Sequence, residues 1–421
     1  MLSRVQIFAA KFSFVQHANC ERHVRGVAAF VLVCVSMFGS AAALADEPLA
    51  TIEAPRADVV ESLGLRQFYK QHLDAKGFAI IASDQVDKAA LREAAYLVDR
   101  MLEGKDDVRR ALTANKVRLV IMSPKEFTTQ IPEHSDLAPA KFWDKRARGL
   151  GATPSRPAVS CGEENLLSYP GDPYAAENIL IHEFAHAMHE MGLRTTDPTF
   201  DARLRSAYEA ALGGGLWKGT YAATNRSEYW AEGVQSWFDC NRENDHQHNH
   251  VNTRDEIKTY DPAISKLLAE VFGDKPWRYR RVADRPEAER THLAGFDPTK
   301  SPRFEWPAEL LEWNKQYAAR QSADEKDLVE LKIAKVAADK VPPSKNSPRE
   351  TSLLFVNRRQ EAVKLYWVDP QGERKSYGLV PAGGRHRQHT FAGHTWLIVD
   401  PQDKSLGHVI ADDEPGKAVV E

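Results

Sequence analysis

The sequence predicts an α+β chain, with a mainly helical domain over residues 58–317 and a small all-β sandwich over residues 351–421. Three observations carry that expectation. Apolar residues recur at helical spacing early in the chain, as in "DKAALREAAYLVDRMLEG", where Leu91, Ala94, Ala95, Val98 and Leu102 share one face. After about residue 350 the period changes to short β-rich runs, "TSLLFVNR", "AVKLYWVD", "HTWLIVD" and "GHVIA", separated by the turns "DPQGE", "PAGG" and "DPQDK". Between the two, residues 318–350 are charged and proline-bearing and end in "KVPPSKNSPRE", which is linker composition.

At the N-terminus, Lys11, Arg22 and Arg25 precede the apolar run "GVAAFVLVCVSMFGSAAALA", which ends in small residues before "DEP". This pattern predicts an export signal over residues 1–45, cut after Ala43-Leu44-Ala45, and hence a secreted or periplasmic protein. Left uncut, the run would be a membrane anchor, because it approaches the ~20 residues that span a bilayer. Cleavage leaves no stable anchor and removes Cys20 and Cys34. One disulfide between the remaining pair, Cys161 and Cys240, is then the economical expectation for an exported chain. A formal net charge of -3 over 421 residues gives no electrostatic argument for nucleic acid or an anionic membrane surface, so neither partner is expected.

Within the first domain, "FAIIAS" and "KVRLVIMSP" read as strands, and residues 125–169 as loops with short elements that line a cleft. Residues Glu163, Glu164 and Asn165 in that stretch are expected at the surface. Asp172 and Pro173 read as the N-cap and first turn of a helix running to about Met191, with Gly192 at its C-cap. The body of that helix, "ILIHEFAHAMHEMG", places His182 and His186 four residues apart on one face with Glu183 rotated by about 100° beside them. Two neutral imidazoles so placed can share a zinc ion with an open position for water, and the adjacent glutamate can take the proton as that water attacks a carbonyl. His189 and Gly192 are the reverse of what a metzincin requires, so the third ligand is sought elsewhere.

A later helix, "SEYWAEGVQSWFDC", offers Glu228 and Glu232 one turn apart, with Glu228 lying 42 residues beyond His186. Glu228 as ligand with Glu232 hydrogen-bonded to a ligand histidine fits the usual division of labour, and the reverse assignment stays open. His189 is expected to support the site from outside or to face solvent, and "NDHQHNH" (His246, His248, His250) to be a polar surface loop. Tyr229, Trp230, Trp237 and Phe238 are expected in the core. Further helices are expected at "DPAISKLLAEVFG" and "PAELLEWNKQYAARQ".

"HEFAH" and "YAATNRSEYWAE" together resemble the catalytic domain of anthrax lethal factor and its relatives among gluzincin zinc peptidases. The resemblance implies a zincin-like fold and, seven residues before the glutamate ligand, a tyrosine that hydrogen-bonds the oxyanion or leaving group; here that is Tyr221. The run from Ser352 to Asp400 resembles the β-domain of the von Hippel-Lindau protein, which recognises hydroxyproline in an extended peptide. Its pocket carries over as Trp367, Tyr377, Thr390 (a serine in the family), His394 and Trp396. Three aromatic walls suit a pyrrolidine ring, and a hydroxyl with an imidazole suits its hydroxyl group. The expectation is therefore an exported zinc-dependent endopeptidase acting on proteins or peptides, with a C-terminal peptide-recognition domain. A catalytically silent binding scaffold and an amide hydrolase acting on non-peptide substrates are the alternatives.

Overall fold

The computed structural model describes residues 49–321 and 324–421. The expected export signal, with Cys20 and Cys34, lies outside those residues. No helix among the described residues is long and apolar enough to cross a membrane.

The first part is built on a five-stranded mixed sheet of β1 (Gln71–Ala75), β2 (Phe78–Ala82), β3 (Arg118–Met122), β4 (Gly149–Leu150) and β5 (Ala158–Gly162), in the order β1-β2-β3-β5-β4. The inner strands β2, β3 and β5 are parallel, and β1 and β4 run antiparallel at the two edges. The β1–β2 hairpin turns through Lys76 and Gly77, both at positive φ, the geometry a two-residue hairpin demands. Every residue of β3 is buried because both sheet faces are covered. Leu119 and Ile121 point into the main core beneath the helix Lys88–Met101, and Val120 and Met122 into a smaller cluster with Leu65, Tyr69 and Ile131.

Two helices carry the expected chemistry. The motif helix spans Ile179–Ala187 and the glutamate helix Arg226–Trp237, and they pack on one another, with Trp230 Nε1 donating to the Ala185 carbonyl at 3.0 Å. Trp230, Trp237 and Tyr229 are fully buried, as expected. The motif helix starts later than Asp172 and Pro173 suggest. Asn178 caps it, accepting from the Ile181 N–H at 2.9 Å, and Asn165 accepts from the Ile179 N–H at 2.8 Å. Asp172 instead caps the preceding turn, accepting from the Tyr174 N–H at 2.9 Å and from Asn165 Nδ2 at 3.0 Å. Gly192 is not a C-cap either: the chain continues through a π-helical turn, Met188–Leu193, and a last helical turn to Thr196. A Cβ at position 192 would lie 2.7 Å from Val108 Cγ1, so glycine is there for close packing.

Other expectations are corrected. Cys161 and Cys240 are both free and both buried, so the expected disulfide is not formed. Cys161 sits inside β5 in the main core, whereas the Cys240 thiol turns back onto its own helix end and donates to the Gln235 carbonyl at 3.4 Å. Burial pushes both thiols above their ordinary pKa, which leaves them unreactive. Glu163, Glu164 and Asn165 are buried. Glu164 makes a two-pronged ion pair with Arg148, at 2.5 and 2.9 Å, with both side chains fully enclosed.

The second part is a sandwich of two four-stranded sheets. Its strands are β6 (Val329–Glu330), β7 (Glu350–Asn357), β8 (Val363–Val368), β9 (Arg374–Val380), β10 (Arg385–Phe391), β11 (Thr395–Val399), β12 (Ser405–Ile410) and β13 (Gly416–Val420). One sheet has the order β10-β7-β13-β6, the other β12-β11-β8-β9. Leu353, Phe355, Leu365, Trp396, Ile398 and Val420 meet between them. The charged segment before β7 is not free chain. β6 pairs parallel with β13, and Leu331 and Ile333 pack on the sandwich core.

The sandwich docks on the short helix Ala140–Arg146 of the first part. Phe142 stacks on His389 and Trp143 on Phe391, with ring centroids 6.4 and 6.3 Å apart. The Glu350 N–H donates to the Ala138 carbonyl at 2.8 Å. Removing one partner of the buried Arg148–Glu164 pair leaves an uncompensated charge, so Glu164→Ala should cost about 3–5 kcal/mol. A matching drop in the urea unfolding midpoint is the check.

Candidate metal centre

On the motif helix, Nε2 of His182 and Nε2 of His186 lie 3.1 Å apart. Glu228 Oε2, from the glutamate helix, lies 3.2 Å from the first and 3.3 Å from the second. Three such atoms bonded tetrahedrally to one zinc ion at 2.0–2.1 Å would stand about 3.3 Å from one another. The residues present therefore fit a zinc ion, and among the described residues this trio has metal-ligand spacing. Glu228 rather than Glu232 occupies the third corner. Burial opposes charge on Glu228, and the two histidines outweigh it, holding its carboxyl below the ordinary range.

The other ring nitrogen of His182 finds a partner that helix spacing did not reveal. Its Nδ1 is 2.8 Å from Gln235 Oε1 and 3.6 Å from Glu232 Oε1, so Gln235 makes the direct hydrogen bond. Gln235 is itself held by Glu177 and the Asn178 carbonyl, each 3.2 Å from Nε2. Glu232 looks the other way: Oε2 accepts from Asn241 Nδ2 at 3.0 Å and lies 3.2 Å from His248 Nε2. His248 is buried, with Nδ1 2.8 Å from Asp245, and so is no surface residue; His246 and His250 are exposed, as expected. His189 is also fully buried, and its Nε2 lies 3.1 Å from Asp201 Oδ1, turned away from the trio by the π-helical turn. The signal for Gln235 was present as the third position, seven residues on, of the face that bears Glu228.

Glu183, His182, Tyr221, Tyr174, Arg146 and Gly149 line a cavity of about 390 Å³. Burial raises the Glu183 pKa, against the pull of the two histidines, which suits a carboxylate that must accept a proton near neutral pH. Tyr221 opens a short 3-10 turn, its N–H donating to the Gln247 carbonyl at 2.7 Å, and its ring lies 6.4 Å from that of His182. Burial pushes its phenol pKa up, so it is a hydrogen-bond donor. Arg146, which the sequence did not single out, lines the same cavity as Tyr221. The edge strand β4 passes directly over the motif helix. A Cβ at Gly149 would meet Ile179 Cγ2 at 2.4 Å, and one at Gly151 would meet His186 Cβ at 2.8 Å, so only bare backbone fits there.

In the sandwich, all five expected pocket residues are brought together. Trp396 Nε1 donates to Thr390 Oγ1 at 2.9 Å, and that oxygen lies 3.3 Å from His394 Nδ1. Tyr377 packs edge-on against Trp396 at 4.9 Å, and Trp367 lies 5.0 Å from His394. Trp396 and Thr390 are buried, Tyr377 is exposed, and the buried Nε1 of Trp367 has no hydrogen-bond partner. Burial pushes His394 down to about 4, so its ring is neutral at neutral pH.

These features define a mixed α+β protein in which a helical part holds a His/His/Glu cluster and an all-β part closes the chain. Residues 343–411 match the family model of the VHL beta domain, a substrate-recognition module consistent with protein or peptide binding. The match covers the sandwich alone, so the helical part is argued from its geometry.

Because Gln235 orients the His182 ring, Gln235→Ala should weaken any zinc binding by the trio about 10–100-fold, as removal of such partners does. Competition against a chromophoric chelator measures this, with Glu228→Ala as the variant that loses the site.

Proposed function

We propose that the protein is an exported zinc-dependent endopeptidase whose β-domain recognises protein or peptide substrate. The observation that carries the reading is the convergence of His182, His186 and Glu228 on one point, with His182 and the adjacent Glu183 lining a cavity. A zinc ion held by those three residues would supply Lewis acidity and bring the pKa of a water towards ~7. Glu183, beside the two histidines, would hold a proton at its carboxylate and deliver it to the leaving amine. Tyr221, protonated and facing the same cavity, donates to the oxygen on which negative charge develops. Gln235 fixes the His182 ring, and Asn178 and Asn165 hold the start of the helix that presents both histidines.

A peptide substrate is favoured over a small amide by β4. It is the last strand of its sheet among the described residues and runs beside Glu183 and His186. An extended chain can add to such an edge through main-chain hydrogen bonds. For the β-domain, the cluster of Trp367, Tyr377, Thr390, His394 and Trp396 supports hydroxyproline as the recognised residue. The aromatic rings take the pyrrolidine, and Thr390 and His394 face its hydroxyl.

Cleavage of a peptide library by zinc-loaded protein, abolished by chelator and restored by zinc, tests the activity. Glu183→Gln should lower turnover by about 10²–10⁴ while about one zinc stays bound; undiminished turnover in that variant refutes the assignment. Tyr221→Phe should lower kcat by roughly 10²–10³. Matched peptides with hydroxyproline and proline, titrated against the full chain, test the β-domain. The hydroxylated peptide should bind more tightly, with affinity constant from pH 8 to 5 because His394 is neutral down to about pH 4. Equal affinity for the two peptides would exclude hydroxyl recognition.

A further inference from the structure

Three arginines line the cavity that holds His182, Glu183 and Tyr221. Two of them are engaged within the protein. Arg148 is locked onto Glu164 in the fully enclosed ion pair, and Arg242 lies 3.0 Å from Glu177 and 3.4 Å from Asp245. Arg146 differs from both, because among the described residues no carboxylate oxygen lies within 4 Å of its guanidinium. The other acids of the cavity wall are turned elsewhere: Glu177 to Arg242 and Gln235, Glu232 to Asn241 and His248.

The Arg146 side chain is nevertheless held in place. It ends the helix Ala140–Arg146, and its carbonyl accepts from the hydroxyl of Tyr174, another residue of the cavity wall, at 2.8 Å. Its guanidinium carbon lies 5.7 Å from the centre of the Trp143 ring, within range of a cation–π contact, and that ring is backed by Phe391 of β10 at 6.3 Å. The residue is half-buried, so its charge has given up part of its water without meeting a counter-ion at close range. A guanidinium presents a planar fork that matches a carboxylate through two parallel N–H···O bonds.

We propose that Arg146 is a specificity-determining residue that pairs with a carboxylate of the bound peptide, so that the cleft selects acidic substrate. That carboxylate is brought either by an aspartate or glutamate side chain or by the free C-terminus of the peptide. The proposal rests on the peptidase reading of the cleft and adds the class of substrate it takes.

Four short peptide hydroxamates, each anchored on zinc by its hydroxamate group, test this on the zinc-loaded protein by titration calorimetry, a readout that needs no turnover. One carries glutamate beside the anchor and an amidated end, and its twin carries glutamine. Another carries leucine there with a free C-terminal carboxylate, and its twin is amidated. At least one acid should bind about tenfold more tightly than its amide twin. Preference within the glutamate pair assigns the carboxylate to a side chain, and within the leucine pair to a chain end. Arg146→Gln should abolish that preference and leave the affinity of the amide twin unchanged. Arg146→Lys should retain part of it, because a point charge replaces the fork. Equal affinity within both pairs overturns the proposal, as does a preference that survives Arg146→Gln or the failure of every probe to bind. The comparison of twins uses the unaltered protein, so the proposal stays open to refutation even if a variant does not fold. An acid preference in a protein that cleaves no peptide upholds the subsite and sinks only the peptidase reading; cleavage without acid preference does the reverse.

Discussion

Two imidazole nitrogens and a carboxylate oxygen brought within 3.3 Å of one another need a cation or a shared proton between them, and the helical part holds them there. The constraint is the register between two helices. His182 and His186 share a face because they are one turn apart, and Glu228 meets them only because Trp230, two residues on, locks the glutamate helix to the Ala185 carbonyl. Asn178 and Asn165 satisfy the first N–H groups of the motif helix and so decide where it begins. Gln235 then ties the far ring nitrogen of His182 to Glu177 and to the Asn178 carbonyl, closing the arrangement on itself.

The convergence of His182, His186 and Glu228 was legible in the sequence because helical periodicity turns spacing into direction. His182, His186 and Glu228 each followed from a count along one face. What the count could not show was which of several residues on a face reaches furthest. Gln235 and Glu232 sit on neighbouring turns, and the choice between them as partner of His182 depends on Asn241 and His248, which arrive from a loop and draw Glu232 aside. His248 itself was read as surface because its neighbours are polar, and its burial is a tertiary fact. The same holds for Asp172, a sound cap by residue type that served the turn before the helix.

Elsewhere the limits were of composition. β5, "AVSCG", is made of small residues and lacks the β-branched density that marks a strand, yet it lies inside the sheet between β3 and β4. The segment before β7 is rich in charge, and its alternating Val329, Leu331 and Ile333 were hidden among lysines and glutamates. Two cysteines suggested a bond, and both instead stand free in the main core. The sandwich, by contrast, was legible in outline from the change of period alone, and the five residues expected to share a pocket lie against one another.

The strand that roofs the cleft is bare at Gly149 and Gly151, where any larger residue would collide with the motif helix. Glycines so placed present bare main chain to the motif helix, with Leu150 the one side chain between them. The side chains that line the cavity beside it include Tyr221, Tyr174, Arg146 and Arg148. On the proposed peptidase reading, a cleft so bare at these two positions gains from a separate recognition domain, and the sandwich attached here stands against the helix that ends in Arg146.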